Sequence, residues 1–219
     1  MSRHNETQIT TNKEKILADI RNSLKVRRES EFEDVDQMTE TWKLPDDEAV
    51  FAFVENFKKA GGLFFYLESR REFADCLKQF ISENEWTIWC QDRKLKDFLT
   101  LNEIDFIDYR PHKDKQDVVS LIACDSLVAK TGSVTVADTP DRPRATYSTP
   151  DILLVTATPG NIVPTMKEAV DGLIDKYGTL PPETCFITGP GCNYEIECRR
   201  VEGVLSIKQI ALFLIDENC

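Results

Sequence analysis

Apolar positions along this chain alternate between two periods. Ile16, Ile20 and Leu24 recur every four residues behind the capping-box pair Thr11 and Glu14, which predicts an amphipathic helix over residues 11–28. Between residues 31 and 48 eight acids face the single Lys43, and little periodicity remains before Pro45. This stretch reads as a solvated linker, so the first helix is expected to form an arm of its own. Pro45 then opens a helix whose apolar positions Ala49, Val50, Phe53, Val54 and Phe57 share one face, and Gly61-Gly62 stops it. A buried strand over 63–67 follows. A second capping box, Ser69 to Glu72, starts a helix with Phe73, Leu77, Phe80 and Ile81 on one side, and a strand over 86–90 comes next. A short helix holding Leu95, Phe98 and Leu99 precedes a strand over 104–109. A helix through Val118, Val119 and Ile122 is expected before a strand at 126–129. Helices alternating with short apolar strands predict an α/β fold, a mostly parallel sheet with helices on both faces, plus the N-terminal helix. The expected division is 1–44 for helix and linker and 45–219 for a single α/β domain.

The second half differs in texture. Runs at 126–129 and 134–137 flank Lys130, Thr131, Gly132 and Ser133, a length and chemistry suited to a tight turn between paired strands. Residues 138–149 read as a long loop carrying Pro140, Pro143, Arg142 and Arg144, and long loops without structure of their own are often functional. A strand at 152–156, a helix over 164–177 closed by Gly178, and a strand at 184–188 follow. The last of these strands runs into Gly189, Pro190 and Gly191. A helix is expected to begin near Asn193, and a final strand covers 207–215.

Composition narrows the function classes. Lys plus Arg total 27 against 38 Asp plus Glu, a formal charge of −11, which repels nucleic acid, and no basic patch lies beyond the first thirty residues. No apolar stretch approaches the roughly eighteen residues of a membrane helix, and the polar start lacks an apolar signal core, so the expected address is the cytoplasm. Seven cysteines without a C-x-x-C pair read as reduced residues of the interior. With only His4 and His112, neither a Ser-His-Asp triad nor a histidine-rich metal site has material, and no metal or cofactor is expected on this chain itself.

The best local site is the Gly189-Pro190-Gly191 break. A strand restarting there as a helix would turn backbone N–H groups and a positive dipole end toward an anion. Arg142 and Arg144 offer bidentate contacts to a carboxylate or phosphate, though loop arginines are commonly just solvated. Lys130 is a candidate anion contact or acid/base group beside Thr131, Gly132 and Ser133, and equally a plain turn lysine. Cys192 at the expected helix start is a candidate reactive thiol, or simply a small residue. Glu195 and Glu197 suit a first turn electrostatically, and Glu195 is the alternative acid/base group.

Taken together, five features in order resemble the LUD-domain family typified by lactate utilization protein C. They are Thr131-Gly132-Ser133, Arg144 six residues before Pro150, Ile162-Val163-Pro164 with Met166, Gly189-Pro190 followed by Glu195-Ile196-Glu197, and Gly203-Val204. The resemblance covers roughly residues 125–215. It implies a fold similar to the sugar-phosphate isomerase and CoA-transferase group, and a place in organic-acid metabolism of the L-lactate to pyruvate type. It further implies a small anionic metabolite held among Thr131, Gly132, Ser133, Arg144, Gly189, Pro190 and Gly191, with iron–sulfur and cysteine-rich proteins as partners that carry any cluster. Two alternatives stay open: a CoA-transferase or isomerase acting on an acyl or phosphorylated substrate through Lys130 or Glu195, and a non-catalytic interaction subunit. This chain departs from the family pattern at Lys130, Gly191, Glu195 and the stretch beginning at Leu205.

Overall fold

The computed structural model describes residues 12–25, 46–109, 111, 118–194, 200–202 and 207–216. The chain divides into two units, Met1–Lys43 and Leu44–Cys219. In the first, helix α1 (Asn12–Lys25) presents Ile16, Leu17 and Ile20 as exposed side chains. Its expected capping residue Thr11, its expected last residues 26–28 and the acidic linker up to Pro45 lie outside the described residues.

The second unit begins with α2 (Asp46–Lys59), β1 (Leu63–Leu67), α3 (Arg70–Asn84), β2 (Thr87–Trp89), α4 (Arg93–Leu101) and β3 (Phe106–Ile107), the alternation that periodicity predicts. The capping box of α3 is skewed. The Ser69 side chain accepts from the Glu72 N–H as expected, but the Glu72 carboxylate reaches back one residue further, to the N–H of Glu68 at 2.7 Å. Then come β4 (Val118–Ala123), β5 (Ser126–Val128), β6 (Ser133–Ala137), α5 (Ala145–Ser148) and β7 (Ile152–Ala157). The remainder holds β8 (Ile162–Val163), α6 (Met166–Tyr177), β9 (Thr184–Ile187), β10 (Cys192–Tyr194), β11 (Arg200–Glu202) and β12 (Gln209–Ile215).

Three expectations are corrected. Residues 118–123 form a strand and not a helix. Val118, Val119 and Ile122 are β-branched, the run is too short for a stable helix, and as a central parallel strand it is apolar on both faces, which erases the two-residue period. No helix starts near Asn193, because Cys192–Tyr194 pairs antiparallel with Arg200–Glu202 as a hairpin. The loop over 138–149 holds structure of its own, the one-turn α5 and a bridge between Thr139 and Arg142.

Six strands form one all-parallel sheet in the order β1-β12-β7-β4-β2-β3. Alternate residues of each strand point to opposite faces. Leu67, Ile88, Val119, Leu121, Leu154, Ala211, Phe213 and Ile215 share one face and pack with Phe73, Ala74 and Leu77 of α3 and Leu99 of α4. Helix α2 packs against β1 and β8, burying Phe53 and Phe57 completely, and their rings stack at 5.5 Å. Each such phenylalanine contributes about 2–3 kcal/mol by leaving water.

A second sheet, in the order β8-β5-β6-β9, grows out of the first. Parallel neighbours β4 and β7 continue, after two and four residues respectively, into parallel neighbours β5 and β8. The chain therefore leaves the large sheet at the C-terminal edge of two adjacent strands, and a crevice opens at that junction.

Candidate functional site

The crevice is a half-open cleft of about 950 Å³. It runs along the C-terminal ends of β12 (Ile215), β7 (Thr156, Ala157) and β4 (Ala123, Cys124), and on to Asp92 just past β2. Open parallel sheets bind ligands at this edge.

Its organising residue is Asp125, two positions past the end of β4. The side chain is 2% exposed, and four donors surround its carboxylate. Oδ2 accepts the Ala137 N–H at 2.8 Å and a short contact from Nη2 of Arg142. Oδ1 accepts Nζ of Lys176 at 2.7 Å and the Tyr177 hydroxyl at 2.8 Å. Arg142 is equally enclosed, with its side chain 5% exposed. Its Nη1 donates to the Ala123 carbonyl at 2.6 Å and its Nε to the Ala137 carbonyl at 3.3 Å. Every guanidinium nitrogen thus serves the protein, and Arg142 welds the loop to the edges of β4 and β6.

Asp125 itself is enclosed, and its partners Lys176 and Tyr177 line the cleft. Lys176 and Tyr177 occupy the last turn of α6, which Gly178 closes with a positive φ of 80°. The Lys176 side chain is 54% exposed, so after one contact to Asp125 its ammonium still has N–H groups for a ligand. Burial opposes the charge on Lys176, but the hydrogen bond and charge of Asp125, joined by Tyr177, offset it and hold the pKa above the ordinary lysine value. The amine is protonated at neutral pH and acts as a fixed cation, not a nucleophile.

Arg70, Arg93 and Lys94 add further positive charge to the walls, against Asp92, Asp97 and Asp141. Counting Lys176 and the enclosed Arg142, five basic groups thus line the cleft with three acidic ones, in a chain whose net charge is −11. This local excess of positive charge suits the cleft to an anion.

Cys124 also lines the cleft, yet burial, reinforced by neighbouring Asp125, pushes its thiol pKa up to about 12. At pH 8 only about one molecule in ten thousand carries the thiolate, by the logarithmic relation between pKa and ionisation. Iodoacetamide treatment of the native protein at pH 8, followed by peptide mass analysis, is expected to leave Cys124 unmodified while the denatured protein is labelled there. Rapid native labelling would contradict the buried geometry.

Of the described residues singled out by sequence, Arg142 lines the cleft, and Lys130 to Ser133, Arg144 and Gly189 to Gly191 lie elsewhere. Gly132, at φ 64°, turns β5 into β6, and its N–H donates to the Val128 carbonyl at 2.9 Å. The Asn56 side chain of α2 donates to the carbonyls of Ala129 and Lys130. Gly189, at φ 72°, abuts the carbonyl of Ala60. The two glycine turns are therefore brought together against the end of α2, and hydroxyls link them from Thr131 to Ser133 at 2.7 Å and from Ser133 to Thr188 at 2.6 Å. Pro190 is buried, the N–H of Gly191 donates to the Ile207 carbonyl, and Lys130 is exposed. Because Cys192–Tyr194 is a strand, neither a helix dipole nor a helix-start cysteine exists at this break. Arg144 sits at the other end of β9, where it pairs with Glu183 at 2.9 Å. Thr188 and Glu183 bracket that strand, five residues apart, so Arg144 is separated from the hydroxyl chain by about 16 Å of extended backbone. Glu195 and Leu205 lie outside the described residues.

Asp125, Lys176 and Tyr177 were not picked out from the sequence. The one local signal was an acid directly after an apolar strand. The Lys-Tyr pair before a capping glycine reads as a routine helix end, and its partner is about fifty residues away in sequence.

Comparison with known proteins places the fold. The sequence model of the LUD domain matches residues 51–215. The crystal structure of a DUF162 family protein from Deinococcus radiodurans superposes with a TM-score of 0.58 at 12% identity, covering 79% of this chain and 99% of that one. No curated protein matches.

Proposed function

The chain belongs to the LUD-domain family, and from that premise we propose that it serves organic-acid metabolism of the L-lactate to pyruvate type, holding an anionic metabolite in the cleft beside Asp125. In this reading iron–sulfur and cysteine-rich partner subunits carry the redox centres, and this chain holds an anionic ligand. Among the described residues no helix is long and apolar enough to cross a membrane.

One observation carries the reading: a lysine on the cleft wall is held as a cation by an almost fully buried aspartate, which a second buried cation fixes in place. Such an arrangement presents charge without the reorganisation that a free surface lysine undergoes on binding. A carboxylate or phosphate would accept from Lys176 Nζ, and the Tyr177 oxygen would lie beside it.

The test is thermal unfolding of the full chain with lactate, pyruvate, glycolate and sulfate. An anion at a hundred times its dissociation constant adds about 2.7 kcal/mol, a rise of several degrees in Tm for a domain of this size. Lys176→Met is expected to abolish that rise, and Arg144→Ala to leave it intact. The opposite pattern would move the site to the surface beside Arg144 and Glu183. No rise with any anion would sink the proposal.

A further inference from the structure

We infer that the cleft is built for a phosphorylated ligand of mononucleotide size, one that carries hydroxyl or amine donors besides its phosphate. This rests on the reading of the cleft as an anion site and goes past it to the class of ligand.

Size is the first argument. A three-carbon hydroxy acid occupies on the order of 100 Å³, about three times the ~30 Å³ of a liquid water. It would fill roughly a tenth of the 950 Å³ present. Clefts of about 300–1,000 Å³ bury most of a ligand several times larger. Length agrees with volume. The lining passes from the end of β12 across β7 and β4 to Asp92, three residues past β2, which crosses three inter-strand gaps or about 14 Å at about 4.8 Å each. An extended nucleoside monophosphate spans such a distance and a three-carbon acid does not.

Chemistry is the second argument. Arg93 and Lys94 open α4 on one flank, while Lys176 comes from the end of α6 in the part of the chain that builds the second sheet. Half-buried Leu95 and Phe98, on the same helix, and the edge of Ile215 also line the cleft, an apolar surface that a ring or sugar face would cover. Asp92, Asp97 and Asp141 also line the space. Three carboxylates disfavour a polyphosphate and give a purely apolar acyl chain nothing to bind. They suit a ligand whose hydroxyl or amine groups donate to them, as sugar and base edges do. One anionic end, a body rich in donors and an apolar face together describe a nucleoside monophosphate.

The experiment is calorimetric titration of the full chain with adenosine 5′-monophosphate, inorganic phosphate and lactate, repeated on Arg93→Glu/Lys94→Glu and on Lys176→Met. Arg93 and Lys94 are exposed, so the double variant is expected to unfold at the wild-type midpoint. The expected result is nucleotide binding at least tenfold tighter than lactate or phosphate, weakened about tenfold or more in the double variant through loss of charge-assisted contacts. Lactate or phosphate binding as tightly as the nucleotide overturns the inference, as does undiminished nucleotide binding by the double variant. In both cases the anion-site reading stands, provided Lys176→Met abolishes lactate binding. If no probe binds and Lys176→Met is silent, both readings fall.

Discussion

Arg142→Met is expected to lower the free energy of unfolding by about 3–5 kcal/mol, the range for breaking a buried ion pair from one side. The loss comes mainly from what stays behind. Asp125 remains at 2% side-chain exposure with one cation fewer, and the Ala123 and Ala137 carbonyls lose their donors. Arg144→Met is the matched control two residues along the same loop. Its ion pair with Glu183 is formed by a side chain 64% exposed, and such pairs contribute under about 1 kcal/mol. Urea unfolding of both variants checks the contrast. Equal losses would mean that Arg142 does not anchor the junction between the sheets. The same variant is expected to weaken anion binding, because Asp125 freed from Arg142 no longer holds Lys176 in one place.

Gly132→Ala is expected to cost several kcal/mol and Gly178→Ala only about 1–2, although both glycines have positive φ. The shared part is the left-handed backbone, which penalises any L side chain by about 1–2 kcal/mol. The difference is space. A methyl group on Gly178 meets nothing within 4 Å, whereas on Gly132 it would lie 2.3 Å from the backbone nitrogen of Phe57. Backbone cannot swing aside as a side chain does, so α2 would have to move off its fully buried Phe53 and Phe57, and overpacking of this kind adds about 1–3 kcal/mol. Gly189→Ala is expected to behave like Gly132→Ala, since its methyl would lie 2.1 Å from the Ala60 carbonyl oxygen. Equilibrium unfolding of the three variants decides the matter. If all three lose the same amount, the turns do not dock on α2 as described, and the space beside Thr131 and Gly189 is open to a ligand after all.

The parts of the protein that are legible in its sequence are those set by neighbouring residues. The capped helices α3 and α6, the stop at Gly61-Gly62 and most strands of the parallel sheet follow from signals that lie within a few residues of one another: a serine three before a glutamate, apolar residues every three to four positions, a glycine after the last turn. The tight turn at Gly132 is legible for the same reason. The run at 118–123 is not, because a strand apolar on both faces and a buried helix look alike over six residues, and only pairing with β2 and β7 separates them. The hairpin after Gly191 was missed because acids near a glycine break also describe a helix start, and its pairing partner lies eight residues on.

The candidate site shows the same boundary at longer range. Residue types alone made Arg142 and Arg144 equivalent, two loop arginines equally able to hold an anion. The fold separates them: one is sealed behind the ends of β4 and β6, the other lies against Glu183 in solvent. Asp125, Lys176 and Tyr177 acquire a role only because β4 runs directly into β5 while α6 folds back over β5 and β8. The sequence by itself determined the α/β class, the element order over most of the chain and the acidic surface, since propensity, capping and charge are properties of neighbouring residues. The tertiary structure alone decided where the cleft lies and which charges face it, since parallel crossovers bring residues from 70 to 215 to one edge, and no local pattern encodes that distance.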